Sequence, residues 1–109
     1  MKPKTKGIFI DSENKTITET EVSSSEDIYK LLKIGLFDAV QISHNADLIV
    51  DDEGLLKDNY CFKYGNTILA GNGLVVGVHH YTGEWGNSPL TLEEVESEVE
   101  FLGYCLGIL

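Results

Sequence analysis

The sequence predicts an α+β domain: a small antiparallel or mixed sheet of about five to seven short strands with two helices. Three observations predict it. Short β-branched runs such as Gly7-Ile8-Phe9-Ile10 and Gly73-Leu74-Val75-Val76 recur between turn residues. Two segments open with a capping hydroxyl and an acid three residues later. No run of helical periodicity is long enough to dominate the chain.

The elements follow in order. The lysine-rich start, residues 1–6, is expected to be a flexible basic head, with residues 7–109 forming a single domain. Ile8–Ile10 and the alternating Ile17–Val22 pair as a hairpin across Asp11-Ser12-Glu13-Asn14. Either Ser23 with Glu26 or Ser24 with Asp27 caps a short helix whose apolar face is Ile28, Leu31 and Leu32, with Gly35 as its stop. Phe37–Ile42 and Ala46–Val50 read as two strands joined at Ser43-His44-Asn45. Asp51 to Asn66 reads as an irregular excursion. Thr67–Ala70 and Leu74–Tyr81 then form a hairpin around Asn72-Gly73, a pair suited to a type I′ turn. Gly83–Pro89 is a loop. Thr91 with Glu94 makes a capping box, and Leu92, Val95, Val99, Leu102 and Leu106 space out one apolar seam of an amphipathic C-terminal helix.

Charge excludes several function classes. The net charge is −10, from 18 acids against 8 bases, and every base is a lysine. Residues 1–50 hold 8 acids and 6 lysines, whereas residues 51–109 hold 10 acids and only Lys57 and Lys63. The second half is thus a poor ligand for nucleic acid or anionic lipid, and the chain lacks the arginine fork that reads phosphate and guanine. No apolar run reaches the ~20 residues of a membrane span. Cys61 and Cys105 form no Cys-x-x-Cys pair, and the N-terminal residues do not read as a signal peptide, so reduced thiols and a cytoplasmic location are expected.

The candidate chemistries are few. Asp51-Asp52-Glu53 lacks the spacing of a calcium loop and reads as a solvated turn. His79 and His80 are adjacent on a strand, which points them to opposite faces; a minor hydrolase using them is a remote alternative. Gly71-x-Gly73-x-x-x-Gly77 precedes a strand rather than a helix, so it is no phosphate loop. Neither a metal nor a cofactor is expected. Tyr81 and Trp85 form an aromatic loop able to anchor a partner or line a ligand site. Glu93, Glu94, Glu96, Glu98 and Glu100 decorate the final helix, where like charges at i,i+4 repel.

Asp52-Glu53-Gly54, Asn59 and the stretch from Ala70 through Gly77 resemble an uncharacterised family of phages and plasmids, domain of unknown function 3846, over about residues 7–101. The resemblance implies a mobile-element origin and supports the fold, and it brings no established activity or catalytic residues.

These observations lead to a non-catalytic phage- or plasmid-encoded protein acting in the host cytoplasm. It is expected to engage a basic host protein through Glu93, Glu96 and Glu100, with Asp51, Asp52 and Glu53 as a second patch and Trp85 as apolar anchor. Such a protein is an inhibitor or partial nucleic-acid mimic, suited to counter-defence. The alternative is a small-molecule binding or sequestering homo-oligomer using the Tyr81–Trp85 loop. No direct nucleic-acid or membrane partner is expected.

Overall fold

The computed structural model describes residues 4–53, 59–79 and 81–106. Along the chain, β1 (Thr5–Asp11) and β2 (Thr16–Val22) precede α1 (Ser25–Leu32); β3 (Phe37–Ser43), β4 (Ala46–Asp51), β5 (Asn59–Tyr64), β6 (Thr67–Ala70) and β7 (Gly73–Val78) follow. A two-residue strand β8 (Trp85–Gly86), α2 (Leu92–Glu98) and β9 (Val99–Cys105) complete it. The α+β class is confirmed, but the strands divide into two sheets. One has the order β2-β1-β7-β4-β3 with β8 beside β7; the other is β6-β5-β9.

The burial of β7 explains this division. Gly73 through Gly77 are all buried, because the apolar Leu-Val-Val run has core on both sides. Val75 packs with Ile8, Ile10, Leu48 and Val50 toward Phe62, Leu69 and Val95 of the second sheet and α2. Leu74 and Val76 pack with Ile49, Ile28 and Leu32 toward α1. The layers are therefore α1, the larger sheet, then the smaller sheet with α2.

A strand buried on both faces is most stable with a ladder on both edges, and β7 takes β1 and β4 as antiparallel neighbours. The expected hairpin of Thr67–Ala70 with Leu74–Tyr81 is accordingly not formed. β6 turns back on β5 instead, through Gly65-Asn66, with Tyr64 opposite Thr67. Gly65 alone of the two has positive φ, +56°, the pattern of a type II′ turn. The stretch read as irregular thus contains β5, whose aromatic content suits a strand.

The second correction concerns the C-terminal helix. Thr91 caps α2 through the predicted box, but the helix ends at Glu98 and the seam toward Leu106 does not exist. Val99 and Phe101 point inward while Glu100 and Leu102 point outward, in strand alternation. The residues Val99 to Leu102 fit both periods, and pairing with β5 decides between them. Glutamates without a lysine in the last turn also oppose the dipole at a helix C-terminus.

The smaller expectations fare better. The β1–β2 and β3–β4 hairpins form where the alternation placed them. Of the two cap options for α1, Ser24 with Asp27 is the one used. Its C-cap is Lys33, left-handed at φ 59°, two residues before the predicted Gly35. β1 begins at Thr5, inside the stretch read as basic head.

Candidate functional site

The α2 helix is the acidic element that survives from sequence to structure. The Thr91 hydroxyl accepts the Glu94 backbone N–H at 3.1 Å, and the Glu94 carboxylate accepts the Thr91 N–H at 3.2 Å. Val95 is fully buried and fixes the helix on the core. That leaves Glu93, Glu94, Glu96 and Glu98 exposed. Glu94 and Glu98 border a hollow of about 460 Å³ with Tyr64, Ile42 and Leu69. Burial, reinforced by Glu98 and Glu94, pushes the Tyr64 phenol above its ordinary pKa, so it remains a neutral donor.

Glu100 does not share that helix. It stands on β9 opposite Lys63 of β5, an opposite-charge cross-strand position. Asp51 closes β4, where its carboxylate accepts the Glu53 N–H at 3.0 Å; the Asp52 N–H reaches the Leu36 carbonyl at 3.2 Å. Asp52 and Glu53 are exposed. The two acidic groups lie at opposite ends of β5. The Glu98 carbonyl bonds Gly65, just beyond Tyr64, whereas Asp51 approaches Gly71 beside Asn59. Six strand residues, roughly 17–20 Å, separate those ends.

Trp85 is turned inward. Its ring packs on Phe37 at a centroid distance of 5.3 Å, and its indole N–H faces the Asp47 carboxylate at 3.5 Å. It also lines a hollow of about 350 Å³ beside Ser23–Ser25 and Ile28. Tyr81 is 96% exposed, with its ring 6.2 Å from that of His79. His79, expected on a strand, lies just beyond β7, which ends at Val78; it is exposed, and its N–H donates to the Glu84 carbonyl at 2.8 Å. His80 and Gly54 lie outside the described residues. Among the described residues, no three His, Cys, Asp or Glu side chains converge as a metal site.

The thiols approach each other. Cys61 lies opposite Gly103, and Asn59 opposite Cys105, on adjacent antiparallel strands. Both cysteines are free. Burial and the neighbouring Cys105 push the Cys61 thiol up to about 12.

A further hollow was not anticipated from the sequence. It is a cleft of about 710 Å³ where the ends of β1 and β4 meet the starts of β5 and β7. Ser12, only 1% exposed, organises its floor. Its hydroxyl donates a short bond to the Gly71 carbonyl, and its N–H donates to Asn72 Oδ1 at 3.0 Å. Gly71, at φ +82°, makes this approach possible. Lys30, Lys33, Asn59, Tyr60 and Tyr104 line it together with the acids Asp11, Glu13 and Asp51. Sequence reading took Ser12 and Asn72 for turn residues, and nothing local signals that these two turns meet.

A family model matches residues 5–100, which include β1 through α2 and the cleft except Tyr104. The chain belongs to the family Domain of unknown function (DUF3846). No curated protein and no solved structure matches it. The DUF3846 match takes in the larger sheet, β5, β6 and α2, and ends at the second residue of β9.

Proposed function

We propose that this DUF3846 protein is a non-catalytic binding protein of phage or plasmid origin, acting in the host cytoplasm. It engages a basic host protein through the glutamates of α2, as an inhibitor or partial nucleic-acid mimic. The observation that carries this reading is the exposure of Glu93, Glu94, Glu96 and Glu98 on a helix held by the buried Val95. Glu94 and Glu98 are a like-charged i,i+4 pair, which costs a few tenths of a kcal/mol. Glu98 adds an unfavourable charge at the helix C-terminus. A basic partner surface relieves both costs, whereas solvent alone does not.

Glu93 and Glu96 are the primary contacts. Glu100 and the Asp51–Glu53 turn are secondary, since one belongs to β9 and the other lies at the far end of β5. Trp85 contributes as an anchor only if the β8 segment lifts from Phe37. The test is the double charge reversal Glu93→Lys with Glu96→Lys, both at exposed positions that leave the capping box intact. The variant is expected to fold, by circular dichroism, and to lose the basic partner recovered by the parent chain. Retention of that partner at equal affinity contradicts the reading.

A further inference from the structure

The two cysteines carry an inference independent of α2. On the ladder between β5 and β9, Asn59 faces Cys105, Tyr60 faces Tyr104 and Cys61 faces Gly103. Cys61 and Cys105 are thus diagonal neighbours, and the two-residue spacing puts both side chains on one face of the sheet. Each sulfur leans toward the other's rung. The Cys61 Sγ lies 3.7 Å from the carbonyl oxygen of Asn59, the residue opposite Cys105. The Cys105 Sγ lies 3.8 Å from the carbonyl oxygen of Gly103, the residue opposite Cys61. Burial, and after it a hydrogen bond with the Cys105 side chain, raise the Cys61 thiol, in keeping with sulfurs that meet.

The backbone around them has room to close the remaining gap. Diagonal Cα atoms in a regular ladder stand roughly 7–8 Å apart, and a disulfide spans about 4.4–6.8 Å, so the strands must give by about 1 Å. The register shifts between Cys61 and Phe62, and Gly103 takes φ +84°. A Cβ at Gly103 would meet nothing within 4 Å, so no described side chain crowds the rung of Cys61. β9 is also an edge strand, paired only with β5. We infer that Cys61 and Cys105 form a reversible cross-strand disulfide, a redox-controlled clasp that fixes β9 to β5.

Half-buried Cys105 is the entry sulfur. Its thiolate attacks one sulfur of a small disulfide such as oxidised glutathione, whose S–S bond breaks and releases one glutathione thiolate. The Cys61 thiolate then attacks the Cys105 sulfur of the mixed disulfide, and the second glutathione leaves. The protein gives up two protons and two electrons, which the two glutathione thiols carry away. A reducing compartment holds the pair as thiols, so the clasp closes only under oxidation.

The test equilibrates the full chain in buffers of varied reduced-to-oxidised glutathione ratio, with and without concentrated urea. Acid quenching, alkylation in denaturant and mass spectrometry then read the intact chain and its peptides. The expected product is a monomer lighter by two hydrogens, with the Cys61 and Cys105 peptides linked and the link reversed by dithiothreitol. The folded chain should favour that disulfide over the urea-unfolded chain by about tenfold or more, because a bond that fits the fold is formed more readily within it. Thiols that survive excess oxidised glutathione overturn the inference. So do glutathione retained on Cys105, a disulfide between two chains, or a preference no greater than in urea.

Discussion

At Ser12 a single buried residue joins two distant turns of the chain. It donates to the Gly71 carbonyl while its backbone N–H holds the Asn72 carboxamide, tying the β1–β2 turn to the start of β7. Ser12→Ala removes the hydroxyl without filling its place, and the cost should be about 1–3 kcal/mol in urea unfolding. Gly77 poses the opposite constraint: a Cβ there would stand 2.2 Å from the Asn87 carbonyl oxygen. Gly77→Ala should therefore displace the segment after β8 and destabilise by about 1–3 kcal/mol. The thiols give a chemical prediction. Because burial raises the Cys61 thiol to about 12 while Cys105 is only half-buried, iodoacetamide near pH 8 should label Cys105 well before Cys61. Peptide mapping reads the order. None of these three features is visible as a pattern in the sequence, since each depends on which turn or strand lies opposite.

At the scale of elements, caps were legible and partners were not. Ser24 with Asp27, and Thr91 with Glu94, are local motifs whose hydrogen bonds close within three residues, so sequence spacing suffices to find them. Thr91→Ala should cost about 1 kcal/mol in thermal or chemical unfolding, with α2 signals affected first. The Asp27 carboxyl is held below its ordinary pKa, chiefly by the Ser23 backbone N–H and also by the Ser23 hydroxyl. Its folded pKa is lower than its unfolded one, so its support for α1 is complete above the ordinary carboxylate range. That support is lost as pH falls through that range and past the depressed value. Circular dichroism across an acid titration should show the α1 contribution fall in that window, and Asp27→Asn should remove the dependence. The segment Val99–Leu102 failed as a local reading because its apolar residues satisfy helix and strand periods alike. The vacant edge of β5 decided it. The hairpin around Asn72-Gly73 failed for a related reason, since β7 gains more from β1 and β4 than from β6.

At the scale of the whole molecule, the α+β class followed from composition and turn spacing, and the division into two sheets did not. Which strands share a sheet depends on long-range pairing that alternation leaves open. The candidate sites show the same boundary. The glutamates of α2 were legible from the capping box and from the apolar residues they flank, although the helix was read through to Leu106 and Glu100 belongs to β9. The separation of Asp51–Glu53 from α2, the inward turn of Trp85 and the Ser12 cleft arise only when distant elements meet. The charge asymmetry, by contrast, is a property of the chain itself and governs association over a Debye length of roughly 8 Å at physiological salt.

The most direct measurement is therefore capture of host proteins on the tagged chain at low and at high salt, with each recovered protein identified. Binding through the α2 glutamates predicts a basic, nucleic-acid-binding protein at low salt that is largely released at high salt. Recovery of the chain alone as a defined oligomer, or of a partner indifferent to salt, would contradict it.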